Sequence, residues 1–157
     1  MTTESIVQLL SEAPVFGGMS TEFLTRLARN AHEIRVESGT LLFRGGEPAE
    51  HFFLLLEGAV SIEIPAVAGP TLVVQNLVPT RVLGWSWLLP PYKWSFNARA
   101  VSDSRLLEFD GRAVLKQCEQ DPAFGYEVIK RFSGLMAERL DAAHRKMMDQ
   151  WSPPGFA

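Results

Sequence analysis

Five apolar residues in succession, Phe52-Phe53-Leu54-Leu55-Leu56, lie in the middle of the chain. A strand with one wet face alternates apolar and polar residues, so an unbroken run needs cover on both faces or nearly so. The run is far too short to span a bilayer. It predicts a buried strand packed between two layers.

The flanking residues add shorter strands. Ile34 and Val36 alternate with Glu33, Arg35 and Glu37 before a turn at Gly39, and Leu41 to Phe43 form a strand stopped by Gly45-Gly46. Glu57-Gly58 turns the chain into Val60, Ile62 and Ile64, which alternate with Ser61 and Glu63. After a loop at 65–70, further strands are predicted at 71–78, 81–83, 96–102 and 105–109. Short strands with Gly and Pro punctuation over 32–110 predict an antiparallel sandwich or barrel.

Helices are predicted on both sides. Ile6, Leu9 and Leu10 share one face of a short helix ended by Pro14, and Ser20 caps a second carrying Phe23, Leu24, Leu27 and Ala28. Asp110 caps a helix bearing Val114, Leu115 and Cys118, and Asp121-Pro122 opens a long one that Ser152-Pro153-Pro154-Gly155 ends. The expected fold is α+β in one domain over 1–157. Its parts are N-terminal helices at 1–31, strands at 32–110 and C-terminal helices at 111–151.

Along the long helix Ile129, Phe132, Met136, Leu140, Ala143 and Met147 recur at gaps of three or four and predict one apolar stripe. A compact sandwich is too small to cover the whole stripe, so the expectation is a homodimer seam, with folding back onto the chain's own sheet as the other use. Lys130, Arg131, Glu138, Arg139 and Asp141 are expected to stay in water.

Composition narrows the function. The 157 residues carry a net charge of −3, which gives no support to non-specific nucleic-acid binding through phosphate neutralisation. The lone Cys118 has no disulfide partner within the chain, and no Cys/His cluster has zinc-site spacing, which fits a reducing cytoplasm. The N-terminal segment has acidic residues and no basic stretch, unlike a secretory signal. His32, His51 and His144 fall in separate elements, and Ser86 and Ser95 have no neighbouring His-Asp arrangement. Gly45-Gly46 is not followed by the Gly-Lys-Ser/Thr of a phosphate loop. No catalytic or metal-binding residue is expected.

The segments Gly39-Thr-Leu-Leu-Phe-Arg-Gly-Gly-Glu47-Pro-Ala and Phe52-Phe-Leu-Leu-Leu-Glu-Gly58-Ala-Val-Ser-Ile resemble the first half of the cyclic-nucleotide-binding domain family. The resemblance implies an antiparallel β-roll of double-stranded jelly-roll type. It implies a purine cyclic monophosphate held beside a phosphate-binding cassette, and a long C-terminal helix that dimerises or moves on binding. In the catabolite activator group a DNA-reading helix-turn-helix follows that helix; only six residues follow Trp151 here, so no DNA binding by this chain alone is expected.

The family's cassette has a Gly-Glu pair, whose Glu accepts from the ribose hydroxyl, and further on an Arg that meets the cyclic phosphate. Here the matching stretch, 84–96, runs Gly84-Trp85-Ser86-Trp87-Leu88-Leu89-Pro90-Pro91-Tyr92-Lys93-Trp94-Ser95-Phe96. Gly84 and Ser95 match, Trp85 replaces the Glu, and Trp94 replaces the Arg. Losing a buried charged partner costs about 2–5 kcal/mol, so two such losses remove several powers of ten in affinity. Ordinary cAMP or cGMP binding, and any bound cofactor, are therefore not expected.

Strand alternation puts Trp94 and Phe96 on one face and Ser95, Asn97 and Arg99 on the other, so Arg99 is expected to face away from Trp94. A weaker reading keeps an anion site through Lys93, Ser95 and backbone N–H groups. The aromatics Trp85, Trp87, Tyr92 and Trp94 have three candidate uses: core filling, a pocket for a different small molecule, or a surface for docking a partner protein. The expected function is a non-enzymatic sensor signalling through its C-terminal helix. The alternative is a ligand-free dimeric adaptor.

Overall fold

A computed structural model describes residues 1–65 and 71–150. The strands are β1 (Ala31–Val36), β2 (Leu41–Phe43), β3 (His51–Glu57), β4 (Val60–Ile64), β5 (Leu72–Leu77), β6 (Val82–Leu83), β7 (Asn97–Ala100) and β8 (Ser104–Asp110). They form two four-stranded sheets, ordered β1-β8-β3-β6 and β2-β7-β4-β5, in which all pairs are antiparallel. Helices α1 (Thr3–Glu12) and α2 (Thr21–Ala28) precede the roll, and α3 (Gly111–Gln120) and α4 (Pro122–Gln150) follow it. The α+β roll expected from the sequence is present. The loop at 66–70 and the predicted helix stop at 152–155 lie outside the described residues.

Strand β3 explains its own composition. Phe52 and Leu54 join a core shared with the helices, while Phe53 and Leu55 join a second core inside the roll. Its neighbour β8 is divided the same way, with Leu107 and Phe109 on the helix side and Leu106 inside. Each such side chain contributes about 1.5–3 kcal/mol by leaving water. A polar residue anywhere from Phe52 to Leu55 would face one of two dry layers.

The turn between β3 and β4 requires glycine. Gly58 has φ +99°, and a Cβ there would lie 2.2 Å from Ser104 Oγ and 2.7 Å from the Asp103 carbonyl.

The helices start where the sequence places their caps. Ser20 Oγ accepts from the Phe23 N–H at 3.2 Å, and Asp110 Oδ1 accepts from the Ala113 N–H at 3.1 Å. Asp121 Oδ1 accepts from the N–H groups of Ala123 and Phe124 at 3.1 and 3.3 Å, satisfying donors left free at the start of α4. Arg26 of α2 pairs with Asp121 at 2.7 Å and holds its carboxyl below the usual range. The same guanidinium lies 4.1 Å from the Phe124 ring centroid, tying α2 to the first turn of α4.

Helix α4 departs from the expected single stripe. Phe132 and Ala143 are buried and Met136 is half-buried, but Ile129, Leu140 and Met147 are 46%, 71% and 55% exposed. The face turned to the body is Phe124, Val128, Phe132, Leu135, Arg139 and Ala143. At 100° per residue this face lies roughly 70° around the helix from the predicted stripe. Phe132 and Ala143 stand on the edge the two share. The physical cause is Arg139, a charge where the apolar ladder should continue. It was expected in water; it is 2% exposed. Arg131 is also partly buried, donating to the carbonyls of Val15 and Gly17 at 3.3 and 2.6 Å.

Candidate functional site

The cassette follows β6 and begins at Gly84, whose φ of +98° turns the chain beneath an indole. A Cβ at this position would stand 3.0 Å from the six-membered ring of Trp94. Trp94 is pinned by its backbone: the Gly46 N–H donates to its carbonyl at 2.8 Å, and its own N–H donates to the Glu47 carbonyl at 2.9 Å. Its ring is 7% exposed and stacks on Phe43, with centroids 3.7 Å apart and planes at 11°. Phe43 stacks in turn on Phe53, 6.2 Å away, so the aromatic column runs from the cassette into the roll.

Trp87 points to the helix side of β3. It is 2% exposed, stacks on Phe52 at 4.9 Å and meets the edge of Phe132 of α4 at 5.1 Å. Its indole N–H donates to the Gly84 carbonyl at 3.0 Å, which satisfies the buried donor. Trp85 is half-buried and sits edge-on to Phe96 at 5.8 Å. Tyr92 and Lys93 are exposed at the surface. The three candidate uses are thus divided by position, with Trp87 and Trp94 as core, Trp85 at a mouth and Tyr92 outside.

Gly84, Trp85, Ser86, Trp94 and Ser95 do come together around one cavity, closed on its other sides by Phe43, Ile62, Phe96 and Arg139. Its volume is about 10 Å³, room for roughly one water. Lys93 and Trp87 are not among its walls. Among the described residues no group of His, Cys, Asp and Glu is placed to hold a metal, and no helix is long and apolar enough to cross a membrane. Cys118 is buried, and desolvation pushes its thiol up to about 11, so it is not poised as a nucleophile.

Residues 33–121 match the model of the cyclic nucleotide-binding domain family. The chain belongs to that family. Over 142 residues it is 19% identical to a CRP-like cAMP-activated global transcriptional regulator of Mycobacterium tuberculosis, covering 90% of this chain and 62% of that one. It superposes on a cyclic nucleotide-binding domain of Methylobacillus flagellatus with TM-score 0.77 at 16% identity, covering 98% of this chain and 86% of the other. A regulatory subunit of a cAMP-independent protein kinase A from Trypanosoma cruzi, solved bound to guanosine, shares the fold at TM-score 0.64 and 20% identity. The match to that subunit covers 83% of this chain and 51% of it. The chain spans 32% to 62% of the length of the curated relatives it matches.

Within this cyclic nucleotide-binding domain the cassette places two indoles, Trp85 and Trp94, on the walls of the cavity. Arg99 faces away, as strand parity predicts: its Nε lies 3.3 Å from Glu63 Oε1 and its Nη1 donates to the Gly39 carbonyl at 3.2 Å. The cation that does reach the cavity is Arg139, from α4. Its Nη2 donates to the Val82 carbonyl at a long 3.4 Å, and its guanidinium carbon lies 5.6 Å from the Trp85 ring centroid. Its Nε has no hydrogen-bond partner among the described residues. Burial pulls this guanidinium down to about 10, against an upward pull from the charge of Glu138. Folding therefore disfavours the charged form by about 3 kcal/mol at neutral pH. That penalty is present below the folded value and fades only as pH rises through it.

Sequence reasoning missed two residues of the site. Phe43 looked like an ordinary strand residue, and nothing local marks it as the partner of Trp94. Arg139 left a trace, since it falls four residues from Leu135 and from Ala143 on the buried face.

Proposed function

We propose that this chain is a non-enzymatic regulatory domain whose cassette does not take cAMP or cGMP, and whose output runs through α4. The observation that carries this reading is Trp94 stacked on Phe43 inside the roll, at the position where the family resemblance puts the phosphate-binding arginine. Two cassette tryptophans support the output route by touching α4, Trp87 through Phe132 and Trp85 through Arg139. The regulatory subunit of a cAMP-independent protein kinase A that shares this fold supports the idea that the fold can regulate without cAMP. Calorimetric titration with cAMP and with cGMP tests the reading. No saturable heat is expected up to millimolar nucleotide, and micromolar binding of either would end it.

The domain works, on this reading, as a cytoplasmic homodimer joined along the exposed face of α4 through Ile129, Leu140 and Met147, beside Tyr126. These four large apolar groups are 46–71% exposed on one chain. Sedimentation equilibrium should give the mass of two chains, and Leu140→Glu should halve it without lowering thermal stability. A wild-type monomer at micromolar concentration would contradict the dimer. The small cavity favours a second reading, a ligand-free adaptor in the same dimeric form. Titration with small organic anions separates the two.

A further inference from the structure

We propose that the mouth of the roll receives a small organic monoanion, a carboxylate on a flat apolar body, gripped by Arg139 of α4 instead of by the cassette. The proposal rests on reading the domain as a sensor that does not take cyclic nucleotides. It assigns the class of ligand that such a sensor would bind.

The first support is an unpaired charge. Arg139 is 2% exposed, lines the cavity, and among the described residues makes one long hydrogen bond, to the Val82 carbonyl at 3.4 Å. Among the described residues no carboxylate lines the cavity, and the neighbouring Glu138 instead accepts from Gln75 Nε2 at 3.1 Å. Buried charges in folded proteins are paired or strongly hydrogen-bonded, because the uncompensated desolvation penalty is large. A guanidinium kept here without a carboxylate partner among the described residues is suited to a partner from outside the chain.

The second support is the form of the partner. A guanidinium offers five N–H donors in a rigid plane, and a carboxylate takes two of them in parallel. One cation without a second balances one negative charge, and would leave half the charge of a phosphate dianion unanswered. The remaining walls are Phe43, Ile62, Trp85, Trp94 and Phe96. Aromatic faces with few polar groups select a flat apolar body over a sugar.

The third support is a way in. The cavity holds about one water as it stands. A ring-sized ligand therefore needs one wall to move. Trp94 is pinned by two backbone bonds and a close stack, and Trp87 by its indole N–H, whereas Trp85 is half-buried and held at the mouth by its contacts with Phe96 and Arg139. Trp85 is the wall that yields. Because the gripping residue belongs to α4, a ligand that binds Arg139 differently in two helix positions biases α4 between them.

The test uses the full chain and benzoate as the probe, read by tryptophan fluorescence and by calorimetry. Benzamide serves as the uncharged analogue and inorganic phosphate as the anion without an apolar body. Benzoate should saturate, with both comparators weaker by at least about tenfold, the loss expected when a buried charge goes unanswered. Arg139→Gln should weaken benzoate by at least about tenfold while leaving the melting temperature unchanged or higher. The benzoate–benzamide comparison reads the charge requirement on the wild-type protein, whatever the variant's folding. Benzoate without saturation at millimolar levels, benzamide binding as well as benzoate, phosphate binding equally, or unaltered affinity in a folded Arg139→Gln would each overturn the proposal. If cAMP saturates while benzoate does not, the underlying sensor reading falls with it. If neither does, the anion site falls alone and the ligand-free adaptor stands.

Discussion

Replacing Trp94 with alanine is expected to lower the free energy of unfolding by about 3–5 kcal/mol, the range for emptying a buried aromatic site. The ring is 7% exposed, closes on Phe43 at 3.7 Å and presses on the backbone at Gly84, so little can collapse into the space it leaves. For a domain of this size each kcal/mol corresponds to roughly 2–4 °C in melting temperature, so the loss should be plain in urea and thermal unfolding alike. Trp85→Ala provides the contrast. That ring is half-buried at the mouth, and its removal should cost about 1 kcal/mol. Equal costs at the two positions would mean that Trp94 is a removable plug and not part of the core.

Trp87→Ala is expected to cost a similar amount, about 3–5 kcal/mol, by a different route. Trp87 fills the space between Phe52 of β3 and Phe132 of α4, and a Cβ on Gly111 would already be 2.9 Å from it. Its loss should loosen the seat of α4 as well as the core. Native-state hydrogen exchange should therefore show faster exchange around Phe132 in Trp87→Ala than in a Trp94→Ala protein of matched global stability. Equal protection of α4 in the two variants would contradict the proposed route from cassette to helix.

Much of this architecture can be read from the sequence where a single physical rule governs. The unbroken Phe52–Leu56 run demanded two dry faces and has them, and the caps at Ser20 and Asp110 form as their side-chain chemistry dictates. Strand parity placed Arg99 on the outer face, where it pairs with Glu63.

What stayed hidden depends on contacts distant in sequence. The pairing of Trp94 with Phe43 crosses from the cassette to β2, and local patterning carries no trace of it. The buried face of α4 was misplaced because a periodicity search counts apolar residues, and the residue nearest the roll's cavity is an arginine. Met147, Leu140 and Ile129 then supplied a plausible stripe on the exposed side. Arg139, a charge expected in water, instead lies buried inside that apolar ladder.

The most direct measurement is the indole N–H spectrum of the four tryptophans, recorded as cAMP is raised to millimolar concentration. If Trp94 fills the place of the nucleotide, its resonance keeps its position and its protection from solvent exchange throughout. A saturable shift of that resonance, with the indole becoming exposed as nucleotide enters, would show that the stack gives way to the ligand and that the cassette still binds.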